Sequence, residues 1–500
     1  MRIYRLLPFA AALLVAAPIQ ASPASIIGSA AVAPASDKSS LIDSYFRALQ
    51  HGDYKEGLAL SEKIDFGASS AAKAEGLTFR ATALLGLKRK SEAQKLFAEA
   101  DRLSPTNPFI SRMQFLVSMA TDNPDIARVA LDRMIARFPD VVRELDMETM
   151  RWILREDREA KTKEADDRLI ALARLGYAAE TTQGDYLAYT ALKALLKRGE
   201  IAEAQDLLQF VNDPDVLESL MIEKRYSPLW PKIEAIVGPH FVNVRDATVK
   251  RAEKRLDRNP ADSEALSQLA FSLAAAERYD EVIALQAKLP KTSEAISKID
   301  EHTGWVFDSV AASLFERGRT DEADQVYASL NENPALPDAW LVNMKINRLH
   351  LLVSEGKFEK ALSLLDVTEK APGSPYAEQL VRRMKYCILR NVGKADEAAK
   401  ILPEVIEHAK DSYDSTIQAL ICAGQLDQAE KLALTALSDD EFQSSFVGEM
   451  QPVPLRAERH SIWSDGWDQL RKRPALIKEF ERLGRPMPEQ FLFGPDGTAS

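Results

Sequence analysis

From residue 337 to 372 the apolar side chains fall into two helical stripes separated by one glycine. Trp340, Met344, Leu349, Leu352 and Val353 recur at helical spacing before Gly356, and Phe358, Ala361, Leu362, Leu365 and Val367 do so after it. Glycine suits the residue that turns left-handed at a helix C-terminus, because it has no Cβ to clash there. A turn this short predicts that the second helix packs back antiparallel on the first. The same text recurs. Gly199, Gly318, Gly356, Gly393 and Gly424 are each followed five residues later by an alanine, namely Ala204, Ala323, Ala361, Ala398 and Ala429. That alanine is expected on the inner face of the second helix, where a short side chain lets two backbones approach. No run of alternating Val, Ile and Thr reads as a strand.

Weaker copies extend the pattern. HGDYKEGLAL carries Gly57 at the alanine position, AERYDEVIAL around Tyr279 is degenerate, and GLKRKSEAQKLFAEADRLSP keeps Ala93 without a glycine five residues ahead. Between that copy and the next unit, Ala93 to Ala127, Phe97 to Leu131 and Pro105 to Pro139 are each 34 apart. Asn107-Pro108, Asn123-Pro124, Asp213-Pro214 and Ser374-Pro375 put an oxygen-bearing cap before a proline, a helix-start signal at unit boundaries.

A glycine turn, an aromatic or aliphatic residue two places on, alanine three beyond, then an aromatic or leucine, an alanine and a final proline resemble the tetratricopeptide repeat. Phe97, Ala100 and Pro105 after Ala93 match it most fully. The resemblance covers most of residues 41–438. It implies an all-α, right-handed superhelical solenoid of antiparallel helix pairs. Irregular intervals, and Leu349 and Tyr386 at positions where the family carries a small residue, imply uneven helix lengths.

Two stretches break the rhythm, residues 224–241 and the tail from Met450. Both combine tryptophan (Trp230, Trp463, Trp467) with proline and a short amphipathic helix. An open solenoid leaves an apolar face at each end, so the tail is read as a C-terminal cap at 450–500. The first stretch divides the solenoid into arms at 41–238 and 239–449.

The N-terminus adds a compartment. Arg2 and Arg5, an apolar stretch from Leu6 to Ala17 and small residues around Ala21 form the pattern of a cleavable signal peptide over 1–21, followed by an Ala-, Ser- and Pro-rich leader to residue 40. No segment is apolar enough for stable membrane insertion, and the expected location is a bacterial periplasm. Without residues 1–21 the chain has 62 Lys and Arg against 75 Asp and Glu, a formal charge of −13. Such a chain repels phosphate backbones, so no nucleic-acid partner is expected. The basic run Lys250, Arg251, Lys254, Arg255 and Arg258 is interleaved with Asp246, Glu253 and Asp257 and reads as a solvated helix face. Cys387 and Cys422 both sit in apolar helical text, where a buried thiol is common; whether they pair turns on a Cα separation under about 7 Å.

Recognisable catalytic and phosphate-binding motifs are absent from the sequence, and its six histidines have no second ligand at metal spacing, so neither catalysis nor a metal or cofactor is expected. The resemblance implies instead that a protein or peptide partner lies along the concave stripe of the first helices. Counting back from the turn glycines gives candidate contacts: Tyr186, Tyr189 and Lys193; Asp308 and Ala312; Asn343, Ile346 and His350; Arg383, Cys387 and Arg390; Asp414 and Gln418. The expected function is a non-enzymatic periplasmic scaffold in envelope assembly, export or outer-membrane uptake. An envelope polysaccharide or peptidoglycan-associated factor and a chaperone for exported chains are the competing readings.

Overall fold

The computed structural model of the protein describes residues 37–492, apart from 161, 180, 370–372 and 456–458. The expected signal peptide and residues 22–36 of the expected leader lie outside the described residues. The leader's last residues are helical, since the first helix is Asp37–Gln50.

Among the described residues there are 28 α-helices and no strand, with one isolated bridge between Glu223 and Gly484. They fall into two compact units, the second beginning at Asn212. In each unit helices pack in consecutive antiparallel pairs, and several first helices also pack on the first helix of the next pair. This is the all-α solenoid architecture expected from the repeats. In the first unit, Ser70–Gly86 pairs with Lys90–Leu103 and Pro108–Ala120 with Pro124–Arg137. In the second, the first helices Glu301–Glu316, Asp338–Ser354, Pro375–Asn391 and Tyr413–Ala423 pair with Thr320–Asn331, Phe358–Glu369, Ala395–Glu407 and Leu426–Ser438.

The repeat alanines do what their size requires. Ala93, Ala127, Ala204, Ala323, Ala361 and Ala429 are wholly buried, and Ala398 nearly so. Gly57, the variant at this position, is as tightly held, because a Cβ there would come within 2.9 Å of Leu49. All four proline-marked starts begin helices. The side chains of Asn107, Asp213 and Ser374 accept backbone N–H groups of the first turn, whereas Asn123 donates its amide to Thr121.

Each turn glycine is left-handed, with φ between 69° and 81°. The residue after it donates its N–H to the carbonyl five residues back: Glu200 to Leu195, Arg319 to Leu314, Lys357 to Leu352, Lys394 to Leu389 and Gln425 to Leu420. This closure satisfies carbonyls that the helix end would leave open. Lys88, Asp122 and Glu277 hold the same place in the degenerate units, at φ of 62°, 53° and 57°, and the residues after them close the same bond. The turn therefore persists where glycine does not, at the expense of left-handed strain.

A paired measurement isolates that strain. Lys88 is exposed, so Lys88→Gly should stabilise the protein by about 0.5–1 kcal/mol. Gly393 has open space where a Cβ would stand, so Gly393→Ala should destabilise by about 1 kcal/mol through backbone conformation alone. Denaturant titration reads both; shifts of the same sign would remove the strain argument.

The second unit is closed by its own chain. The stretch 224–241, within which the sequence places the boundary between the arms at 238/239, lies wholly in this unit, and the tail grips it. Arg485 lays its guanidinium 3.6 Å over the Trp230 ring, donates to Glu234 Oε1 at 2.7 Å and to the Met221 carbonyl at 2.7 Å. Its backbone N–H donates to the Ile222 carbonyl at 2.8 Å. Lys224 donates to the Glu481 carbonyl, Arg225 to Ser444, and the Phe241 ring meets Phe491 edge-on. At the other end of the stack Gln443–Glu449, Ser464–Arg471 and Pro474–Leu483 cover the last helix, Leu426–Ser438. No helix among the described residues is long and apolar enough to cross a membrane.

Candidate functional site

In the first unit, Tyr186, Tyr189 and Lys193 form an i, i+3, i+7 stripe on the helix Thr182–Lys197. Tyr186 is 38% exposed, Tyr189 and Lys193 are half-buried, and the Lys193 ammonium lies 4.3 Å from the centre of the Tyr189 ring. A cation over an aromatic face, partly open to solvent, is a surface that polar peptide groups and aromatic side chains can meet.

In the second unit the structure joins three of the expected contacts and encloses them. His350, Arg383 and Gln418 come from the first helices of successive pairs. The sequence places them on an open groove surface, yet they are 5%, 0% and 5% exposed. The tail covers two of them. Trp463 stacks on the His350 imidazole with centroids 5.4 Å apart and planes 6° from parallel, and Arg383 lies 4.9 Å from the same indole. The indole N–H donates to Cys422 Sγ at 3.2 Å. As free partner contacts these three residues are therefore corrected to the floor of a seat that the chain itself fills. Arg390 stays exposed and donates to the Cys422 carbonyl at 2.9 Å, while Asn343 is half-buried two turns before His350.

The floor is a polar chain. Arg383 donates to Gln418 Oε1 and, at 3.0 Å, to His350 Nδ1; Gln418 Nε2 donates to Asp414 Oδ2 at 3.0 Å. Burial holds the His350 pKa well below the ordinary histidine range, and the Arg383 cation lowers it further. The imidazole is thus neutral. Because a guanidinium only donates, Nδ1 is the acceptor and Nε2 carries the proton, facing Ser354 Oγ at 3.4 Å. Burial pushes Arg383 down to about 10, and burial and the Glu449 carboxylate raise Asp414 against the pull of Arg383. One pair earlier, Asp308 is fully enclosed. Its Oδ1 accepts from Tyr327 at 2.8 Å and Asn347 at 2.8 Å, and burial pushes its pKa up to about 6.

Cys387 and Cys422 form a disulfide with Cα atoms 5.7 Å apart, joining the first helices of two consecutive pairs directly beneath Trp463. Sequence reasoning left that pairing open and missed Arg459, Ile462, Ser354 and Glu355. Arg459 places its guanidinium on the Glu355 carboxylate at 2.7 and 3.0 Å, and the Ile462 N–H donates to the Ser354 carbonyl at 3.1 Å. The available signal was a tryptophan with an arginine four residues ahead, in a polar stretch that no repeat explains. Among the described residues no group of three or more His, Cys, Asp or Glu side chains could hold a metal ion.

No protein-family model matches the sequence, and no curated protein does. Among solved structures the chain is similar to yeast Tom70, at 10% identity and a TM-score of 0.32, covering 89% of this chain and 99% of that one. It is similar to the APC/C hetero-tetramer Cut9–Hcn1 at 12% identity and a TM-score of 0.29, over 92% and 98% of the two chains. The TPR domain of P58(IPK) aligns at 13% identity and a TM-score of 0.17, over 81% and 98%.

Proposed function

We propose that this chain is an exported, non-enzymatic scaffold of a bacterial envelope that binds a protein or peptide partner along the uncovered stripe of its first helices. The observation that carries the reading is the stripe Tyr186, Tyr189 and Lys193, a partly exposed aromatic and cationic row on a rigid helix. A rigid helix face limits the ordering that binding must impose. The signal-peptide pattern of residues 1–21 supports export. So does the Cys387–Cys422 cross-link, since disulfides persist in oxidising compartments and are rare in the cytosol. The process served is envelope assembly, export or outer-membrane uptake.

Crosslinking in the native envelope, followed by mass spectrometry, should recover one recurrent partner and a mature N-terminus near residue 22. Tyr186→Glu combined with Lys193→Glu should remove that crosslink while leaving the circular dichroism unchanged. Capture that survives the double substitution would dispose of this stripe as the contact.

A further inference from the structure

The tail between Gln451 and Arg471 is held at both of its ends. At its base Arg471 Nε donates to the Glu449 carbonyl at 2.9 Å, and the Gln451 side chain bridges the Arg485 carbonyl at 3.1 Å and the Met487 N–H at 2.9 Å. Beyond residue 472 the chain has its own anchors on 221–241. The tip, Arg459 to Trp463, is therefore not what attaches the tail.

That tip engages the inner face as a ligand would, at three points in register. Arg459 makes a two-pronged bond to Glu355 and covers the Phe315 ring at 5.2 Å. Ile462 pairs by main chain with the last residue of Asp338–Ser354, and Trp463 fills the seat over His350, Arg383 and Cys422. The floor beneath is the second indication. A permanent seal is made most stable by apolar packing, and buried charges are generally neutral or costly beside apolar residues of equal volume. Here the seat retains a guanidinium, an imidazole and an amide. Among the described residues Arg383 Nε finds no acceptor, although the side chain is fully buried. A floor that must face water whenever its occupant leaves needs such groups; a floor that never opens does not.

We propose that the inner face formed by Asp338–Ser354, Pro375–Asn391 and Tyr413–Ala423 is a recognition site for a segment that turns into a helix, with an arginine four residues ahead of a tryptophan at the turn. Residues 459–463 are its resident occupant, and a partner segment of the same chemistry displaces them. This rests on the scaffold reading and names the chemistry of one of its partners. The resident tip has the advantage of high effective concentration, so an outside segment competes only when it is abundant or multivalent.

The test uses a fluorescein-labelled synthetic peptide of residues 459–467 and the purified full chain, read by fluorescence polarisation. Trp463→Ala empties the seat and should bind the peptide at least tenfold more tightly than the unsubstituted chain. A peptide with both Arg459 and Trp463 replaced by alanine should bind neither protein. Should Trp463→Ala fail to fold, Arg459→Ala loosens the tip from outside the seat and should tighten peptide binding about threefold. A folded variant that ignores the peptide, or one that binds the double-alanine peptide equally well, overturns the proposal and leaves the tip as a structural strap. A dimer of the unsubstituted chain that excess peptide dissolves would give the seat to a second copy and overturn the partner form. Because these measurements use purified protein alone, they can fail while the envelope crosslink of the preceding section stands, and the reverse.

Discussion

Replacing Arg383 with alanine should destabilise the second unit by about 3–5 kcal/mol, the largest single-residue effect expected outside the apolar core. Three losses combine. Gln418 Oε1 and His350 Nδ1 lose their buried donor, a cavity opens at the centre of three helices, and Trp463 loses the cation over its ring. Yet the guanidinium is also costly, since burial depresses its ionisation and its carboxylate neighbour, Asp414, acts through Gln418. Arg383→Met fills most of the same volume without a charge to desolvate. It should lose only about 1–2 kcal/mol. Chemical denaturation of both variants decides the matter. If methionine is no better than alanine, the donors carry the whole effect and the guanidinium is not the burden described here.

The seat around Arg383 shows which parts of this protein can be read from residues and which cannot. Helix pairs are local: one left-handed turn, one alanine five places on and two apolar stripes specify them, and the turns at Gly199 to Gly424 close as that pattern requires. A rule that searches for glycine passes over Lys88, Asp122 and Glu277, where tertiary packing forces the same backbone on residues that resist it. The candidate face was legible only as a stripe. Counting back from the turn glycines found His350, Arg383 and Gln418, which do converge. That count says nothing about a covering segment 41 to 113 residues away, because no periodicity links Trp463 to the repeats it lands on. The disulfide was harder to read. Its partners are 35 residues apart while their turn glycines, Gly393 and Gly424, are 31 apart, so Cys422 lies one helical turn beyond the position that matches Cys387, and counting from the turns pairs Cys387 with Gln418 instead.

Removing that disulfide is the second large effect. Cross-linking residues 35 apart restricts the unfolded chain by roughly 3–4 kcal/mol in the loop-entropy account, so Cys387→Ala with Cys422→Ala should lower stability by about that much. For a unit of this size the melting temperature should fall by roughly 5–7 °C. The loss does not stay local. Cys422 Sγ accepts the Trp463 indole N–H and its carbonyl accepts from Arg390, so the tip of the tail should loosen along with the two helices. The chain carries its own control, because both of its cysteines lie in the second unit and the first has none to lose. Calorimetry with and without reductant should therefore move one transition and leave the other in place. In the double-alanine variant reductant should change nothing. Two titratable thiols after reduction with no shift in either transition would show that the cross-link restrains nothing the fold does not already hold.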